Sequence, residues 1–174
     1  METTIPPLPT ADERRRQVFD YLDAHGIRYS WYEHPEAPTC EIAMSYCRGD
    51  GAQHCKNLFL RNHKGDRHYL VCSDAEQRLA IRDLERRLRQ GRLSFASPQR
   101  LARWLGLCPG SVSPFGLIND PAHHVHLFLD ARLLERPQLA FHPNDNRATA
   151  VVSREAFREY LACVGNSYEF IELY

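Results

Sequence analysis

An α/β (α+β) fold is what this sequence predicts: a single domain with a mixed, mostly antiparallel sheet surrounded by helices. Three observations carry that expectation. Apolar residues recur in short alternating or continuous runs of strand length. Between them lie segments with helical apolar spacing, opened by cap residues at Thr10, Thr39, Ser97 and Ser153. One strand pair is joined by Asn62-His63-Lys64-Gly65-Asp66, a hairpin turn that makes its neighbours antiparallel. A chain of 174 residues, 43% hydrophobic and 25% charged, has the size and composition to bury one core.

In chain order, residues 1–9 are proline-rich and read as a flexible N-terminal arm, leaving 10–174 as the domain. Thr10-Ala11-Asp12-Glu13 is a capping box, in which threonine and glutamate satisfy each other's backbone N–H groups. It opens a helix that turns Val18 and Leu22 inward and ends near Gly26. Arg28 to Glu33 alternates as a strand, and His34-Pro35 stops it, since the residue before proline avoids helical backbone. Thr39 caps a short helix through Tyr46. Cys55–Asn62 and Arg67–Ser73 are the hairpin strands. Ile81, Leu84 and Leu88 then mark an amphipathic helix, with Arg78, Arg82, Arg86 and Arg89 as a basic stripe on another face. Ser97-Pro98 caps a further helix, with proline at its first position and Leu101, Trp104 and Leu105 facing in. Val125–Leu129, Gln138–His142 and Thr149–Ser153 are strands. A last helix runs from Ser153 to about Cys163, and Ser167–Leu173 returns as a strand.

The net charge is zero, which argues against a strongly basic polyanion binder. Between Arg78 and Arg103, however, eight arginines face two acids, a local +6 that leaves −6 elsewhere. The stripe is therefore either a solvated helix face or a face for phosphates. No apolar run approaches the length of a membrane span, and Met1–Pro7 lacks the basic and apolar regions of a signal peptide. A cytoplasmic chain without membrane attachment is expected. Cys40, Cys47, Cys55, Cys72, Cys108 and Cys163 are scattered without a CxxC pair and read as free thiols.

Polar residues placed where packing gains nothing from them are the candidates for chemistry. In a strand, Lys56 shares a face with Leu58 and Leu60, and Asn57 shares the other with Cys55 and Phe59. Such a lysine either snorkels at an edge or waits in a cleft for an anion or carbonyl. Gly110-Ser111-Val112-Ser113-Pro114 is a non-regular loop in which Pro109 and Pro114 fix two φ angles and glycine permits close approach of backbone to a ligand. A structural turn competes with that reading. His142 stands at a strand end, as a structural or a functional histidine. His123-His124-Val125-His126 lacks a carboxylate or cysteine at ligand spacing, and no HExxH is present, so no metal is expected. No motif supports a nucleophile at Cys55, Cys72 or Cys108. Without a Walker loop or GxGxxG, no nucleotide cofactor is expected either.

These segments together are more specific than any one of them. From about Arg14 to Leu173 the chain resembles the YbaK/prolyl-tRNA-editing family, free-standing deacylases and the editing insertion of bacterial prolyl-tRNA synthetases. The resemblance runs through Gly26-Ile27, Tyr32-Glu33-His34-Pro35, Thr39, Lys56-Asn57-Leu58-Phe59-Leu60 and Tyr69-Leu70-Val71. It continues through Leu93-Ser94-Phe95-Ala96, Gly106 to Leu117, Asn119-Asp120, Phe141-His142-Pro143 and Thr149 to Ser153. The Lys-Asn pair and the Ser-Val-Ser-Pro-Phe-Gly loop look most like the branch that clears alanine from proline tRNA. Cys55, the Ala122-His123-His124 turn and Asn144-Asp145-Asn146 depart from the family pattern or fall where it varies.

The resemblance implies an editing-domain fold and hydrolysis of mischarged tRNA(Pro), with alanyl-tRNA(Pro) as substrate and neither metal nor cofactor. It implies Lys56 beside the ester and the terminal nucleotide, and Asn57 orienting the acceptor end. The Gly110–Pro114 loop would hold the aminoacyl group by backbone contacts, and His142 would set the size limit. The implied partners are the acceptor end of tRNA, contacted also by Arg78, Arg82, Arg86 and Arg89, and transiently prolyl-tRNA synthetase; the chain is expected to be a monomer. The alternatives are a deacylase for another mischarged tRNA and a non-catalytic module that binds the tRNA end.

Overall fold

The computed structural model describes residues 7–47, 51–78 and 80–174. Along them run α1 (Ala11–Ala24), β1 (Ser30–Glu33), α2 (Cys40–Ser45), β2 (Gln53–Asn62), β3 (His68–Asp74), α3 (Ile81–Leu88), β4 (Leu93–Phe95) and α4 (Pro98–Leu105). A 3₁₀ turn (Pro114–Asn119) precedes β5 (Val125–Asp130), and a second (Ala131–Glu135) precedes β6 (Gln138–Phe141). β7 (Ala148–Ser153), α5 (Arg154–Val164) and β8 (Tyr168–Ile171) complete the chain. The sheet order is β1-β7-β6-β2-β3-β5-β8, with β4 added to β2. Pairs β1–β7, β6–β7, β2–β3 and β2–β4 are antiparallel, whereas β2–β6, β3–β5 and β5–β8 are parallel.

Both faces of the sheet are covered, so the central strand β3 is buried along its whole length. One face packs Phe59, Leu70, Leu127 and Val152 against Val18 and Leu22 of α1, Leu101 and Leu105 of α4, and Phe157 and Leu161 of α5. The other packs Leu60, Tyr69, Val71 and Phe128 against Leu84 and Leu88 of α3. Burying two leucines contributes roughly 3–6 kcal/mol, which holds a helix too short to persist alone.

Local cap chemistry places the helices where the sequence puts them. Thr10 Oγ1 accepts from Glu13 N at 3.2 Å and Glu13 Oε2 accepts from Thr10 N at 3.0 Å. Of the expected N-terminal arm, residues 1–6 lie outside the described residues, and the Pro9 carbonyl is held by Arg14 Nη1 at 2.7 Å. The strand β4 was not foreseen; at three residues it is too short to show a period.

The basic stripe is also not a single helical stripe. Asp74 accepts from the backbone of Glu76 (2.8 Å, side chain) and Gln77 (3.2 Å, carbonyl), which folds the chain into a turn after β3. The helix therefore starts only at Ile81, with Arg78 before it and Arg89 after it at φ 53°. Of the four stripe residues only Arg82 and Arg86 sit on α3, and Arg86 pairs with Asp83.

The unassigned histidines brace the far end of the sheet. Arg100 Nη1 approaches His68 Nε2 at 3.1 Å, and His68 Nδ1 lies 2.8 Å from His124 Nε2. An arginine only donates, so His68 Nε2 accepts and its Nδ1–H donates to His124. His124 stacks on Trp104 with ring centroids 3.6 Å apart, and Arg100 Nη1 also donates to the Gly65 carbonyl at 2.7 Å. The hairpin, β5 and α4 are thereby locked together. His126 turns instead to Ser167 and Glu169, so it does not converge with His124.

Candidate functional site

Strands β2 and β6 run side by side for only two residue pairs, Gln53–Leu139 and His54–Ala140. Beyond them the strands part, and β2 regains a strand neighbour on that edge only where β4 pairs Leu60 to Asn62. A crevice at the carboxyl end of a parting parallel pair is where open α/β sheets bind ligands. Here it is a cavity of about 310 Å³. Lys56 and Asn57 line it from β2, Phe141 and His142 from the end of β6, Gly110 and Val112 from the loop, and Thr39, Cys40 and Glu41 from the start of α2.

Five of the sequence candidates thus meet in one place: Lys56, Asn57, Gly110, Val112 and His142. Ser111, Ser113 and Pro114 do not line the cavity. Ser111 closes a turn through its N–H to the Cys108 carbonyl at 3.2 Å, Ser113 is extended (φ −156°, ψ 149°), and Pro114 already begins the 3₁₀ turn. Ser111 and Ser113 are buried; Ser113 Oγ caps the 3₁₀ turn by accepting from Phe115 N at 3.2 Å. The Pro114 carbonyl accepts from the Tyr160 hydroxyl at 2.7 Å. These contacts set the loop's path. Gly110 has φ +86°, left-handed backbone that favours glycine, and it lies against Asn146 and the Pro38 backbone in the lead-in to α2.

Two polar side chains in the cavity, Asn57 and His142, are held in a defined state. Asn57 Oδ1 accepts the Cys72 thiol at 2.8 Å, which leaves its NH₂ as the donor available to a ligand. His142 Nδ1 lies 2.8 Å from the Ala148 carbonyl, so it carries the proton and Nε2 carries the lone pair. Burial pushes the His142 pKa down and keeps the ring neutral near pH 7. Burial pushes the Cys40 and Cys55 thiols up; for Cys40, the Lys56 charge pulls the other way but does not win. The thiolate is the reactive form, so neither cysteine is set up as a nucleophile. Lys56 brings a positive charge to the lining, and Glu41 at the start of α2 a carboxylate.

Asn144-Asp145-Asn146 turns out to be the frame behind the cavity. Asn144, at φ 60°, receives Arg14 Nε on its carbonyl at 3.0 Å and donates through Nδ2 to the Phe115 carbonyl at 3.3 Å. The Asn146 carbonyl accepts from Ala37 N at 2.9 Å. Asp145 is fully buried, which favours its neutral form, but Arg147 grips both its oxygens at 3.0 and 2.9 Å and holds its pKa below the usual range. Sequence reasoning missed Thr39, Cys40, Glu41 and Thr149 as cavity residues. Of these Thr39 gave a signal as a helix cap, and Thr39 and Thr149 fell within the segments that carry the family resemblance.

The profile of the aminoacyl-tRNA editing domain matches residues 34–160. The chain is 38% identical over 161 residues to the prolyl-tRNA editing protein ProX of Acetoanaerobium sticklandii, covering 92% of this chain and 98% of that one. It is 31% identical over 158 residues to prolyl-tRNA synthetase associated domain-containing protein 1 of Mus musculus, covering 88% and 93%. The crystal structure of a candidate trans-editing enzyme for prolyl tRNA synthetase superposes with a TM-score of 0.69 at 25% identity, over 91% of this chain and 96% of that one.

Proposed function

Because this chain belongs to the aminoacyl-tRNA editing family, we propose that it is a trans-editing deacylase that hydrolyses mischarged tRNA(Pro), with alanyl-tRNA(Pro) as its substrate. The observation that carries the site assignment is the meeting of Lys56, Asn57, Gly110, Val112 and His142 at one cavity. The bond broken joins the amino acid's carbonyl carbon to an oxygen of the terminal ribose. Water attacks that carbon, the carbonyl oxygen becomes an oxyanion, and collapse expels the ribose oxygen, which takes up a proton.

Lys56 stands as a fixed charge for the oxyanion, where such stabilisation is the largest available term. The Asn57 NH₂ orients the acceptor end, and the Gly110–Val112 backbone holds the aminoacyl group. Neutral His142, backed by Ala148, forms a rigid wall that admits alanine and limits anything larger. The vicinal ribose hydroxyl, which the substrate itself holds beside the leaving oxygen, carries the proton. The chain acts as a monomer on tRNA and meets prolyl-tRNA synthetase only transiently. The division of labour follows from energetics: a proline pocket rejects a smaller side chain by only about 1–3 kcal/mol per missing methylene, so a second, smaller cavity has to correct the error.

The test is deacylation of alanyl-, cysteinyl- and prolyl-tRNA(Pro) by the purified protein in EDTA. Alanine should be released fastest and proline spared. Release of a different amino acid would reassign the substrate, and release of none would leave a module that only binds the tRNA end.

A further inference from the structure

Some 20 Å from Lys56, by the ~3.3 Å rise per residue of a strand, β2 ends at a second hollow. It has a volume of about 480 Å³ and lies between the β2–β3 hairpin and the α3–β4 turn. Its charged lining is Lys64, Arg67, Arg89 and Arg92 against one carboxylate, Asp66. That carboxylate already accepts from Asn62 Nδ2 at 2.6 Å. Among the described residues, none of the four cations forms an ion pair. Folding has therefore gathered like charges without neutralising them, although the whole chain carries equal numbers of acids and bases.

Arg89 sharpens the point. It is the C-cap of α3 in left-handed backbone, φ 53°, a position that favours glycine or asparagine. A strained arginine at a place where local structure wants glycine is a pointer to a role outside the helix. Between this hollow and the cavity lies Phe95 on β4, opposite Leu60, with 60% of its surface exposed. The order along one sheet edge is thus ester cavity, exposed aromatic ring, unpaired cations.

We propose that this edge is the docking track for the stem of the substrate RNA: the hollow formed by Lys64, Arg67, Arg89 and Arg92 takes backbone phosphates, and Phe95 packs on the strand leaving the cavity. The inference rests on the deacylase reading. A duplex is the occupant that fits, because it presents closely spaced phosphates to several cations at once and a flexible end to a cavity far from them. Arg78, Arg82 and Arg86, all exposed, add positive potential on the α3 side without lining the hollow.

Three measurements decide it. An RNA hairpin carrying the acceptor stem is titrated against wild type and a Lys64→Gln/Arg67→Gln/Arg92→Gln variant at several salt concentrations. The variant should bind at least tenfold more weakly at low salt, with a log Kd against log salt slope lowered by about 2 to 3. Both proteins should hydrolyse 3′-O-alanyl-adenosine, which has no stem, at equal rates. Arg89→Gly should weaken hairpin binding several-fold while leaving the unfolding midpoint unchanged or raised. Wild-type affinity and slope in the triple variant would overturn the track. Hydrolysis of no ester by wild type, with the hairpin still bound through these residues, would overturn the deacylase reading and leave the RNA surface standing.

Discussion

Lys56 sits half-buried in a strand whose ladder to β3 it shares with six neighbours, and no ion pair among the described residues depends on it. Its charge serves the cavity rather than the core. Lys56→Ala should lower kcat/KM for alanyl-tRNA(Pro) by about 10²-fold or more, the usual cost of losing one oxyanion-stabilising group. Its unfolding free energy, measured in urea, should move by less than about 1 kcal/mol. Turnover at the wild-type rate would remove Lys56 from the mechanism. Residues of this kind were legible in the sequence because a lysine, an asparagine and a histidine interrupt runs that pack better without them. That the cavity is lined by Gly110 and Val112 and not by Ser111 and Ser113 was not legible, because a loop motif does not say which of its residues face inward. The places of Cys40 and Thr149 at the cavity were not legible, because tertiary packing alone brings α2 and β7 there.

At the scale of elements, the hairpin and α4 are joined through a histidine chain that works in one protonation state only. Burial first, then the nearby His124 and Arg100, push the His68 pKa down to about 4, and burial lowers His124 as well. The unfolded chain, with histidine near 6.5, binds more protons between those values, so this stability is intact above about pH 6.5 and is lost as pH falls toward 4. The loss attributable to His68 is on the order of 3 kcal/mol. Urea unfolding from pH 7 to pH 4 should show it, and a His68→Gln variant should show a flatter profile. An equal pH dependence in the two proteins would sink the assignment. Helices were the legible elements, since capping boxes and proline positions are local. The start of α3 was not, because an aspartate turn outcompeted a regular arginine spacing.

For the molecule as a whole, the strand segments and their alternation were readable, but their partners were not. Nothing in the local pattern says that β2 must lie against β6, and the candidate site exists only because it does. That seam also makes the site a timekeeper. The hairpin β2–β3 closes across a few residues, whereas Gln53 must find Leu139 and His54 must find Ala140 from opposite halves of the chain. Contacts of such high sequence separation carry the largest loop-closure cost and form late. Refolding from denaturant should therefore recover far-UV circular dichroism before it recovers deacylation, and simultaneous recovery would show that the seam is not the last part to close. A chain in which β6 has not reached β2 has no cavity to hold an ester, so the proposed hydrolysis waits on a contact between its two halves.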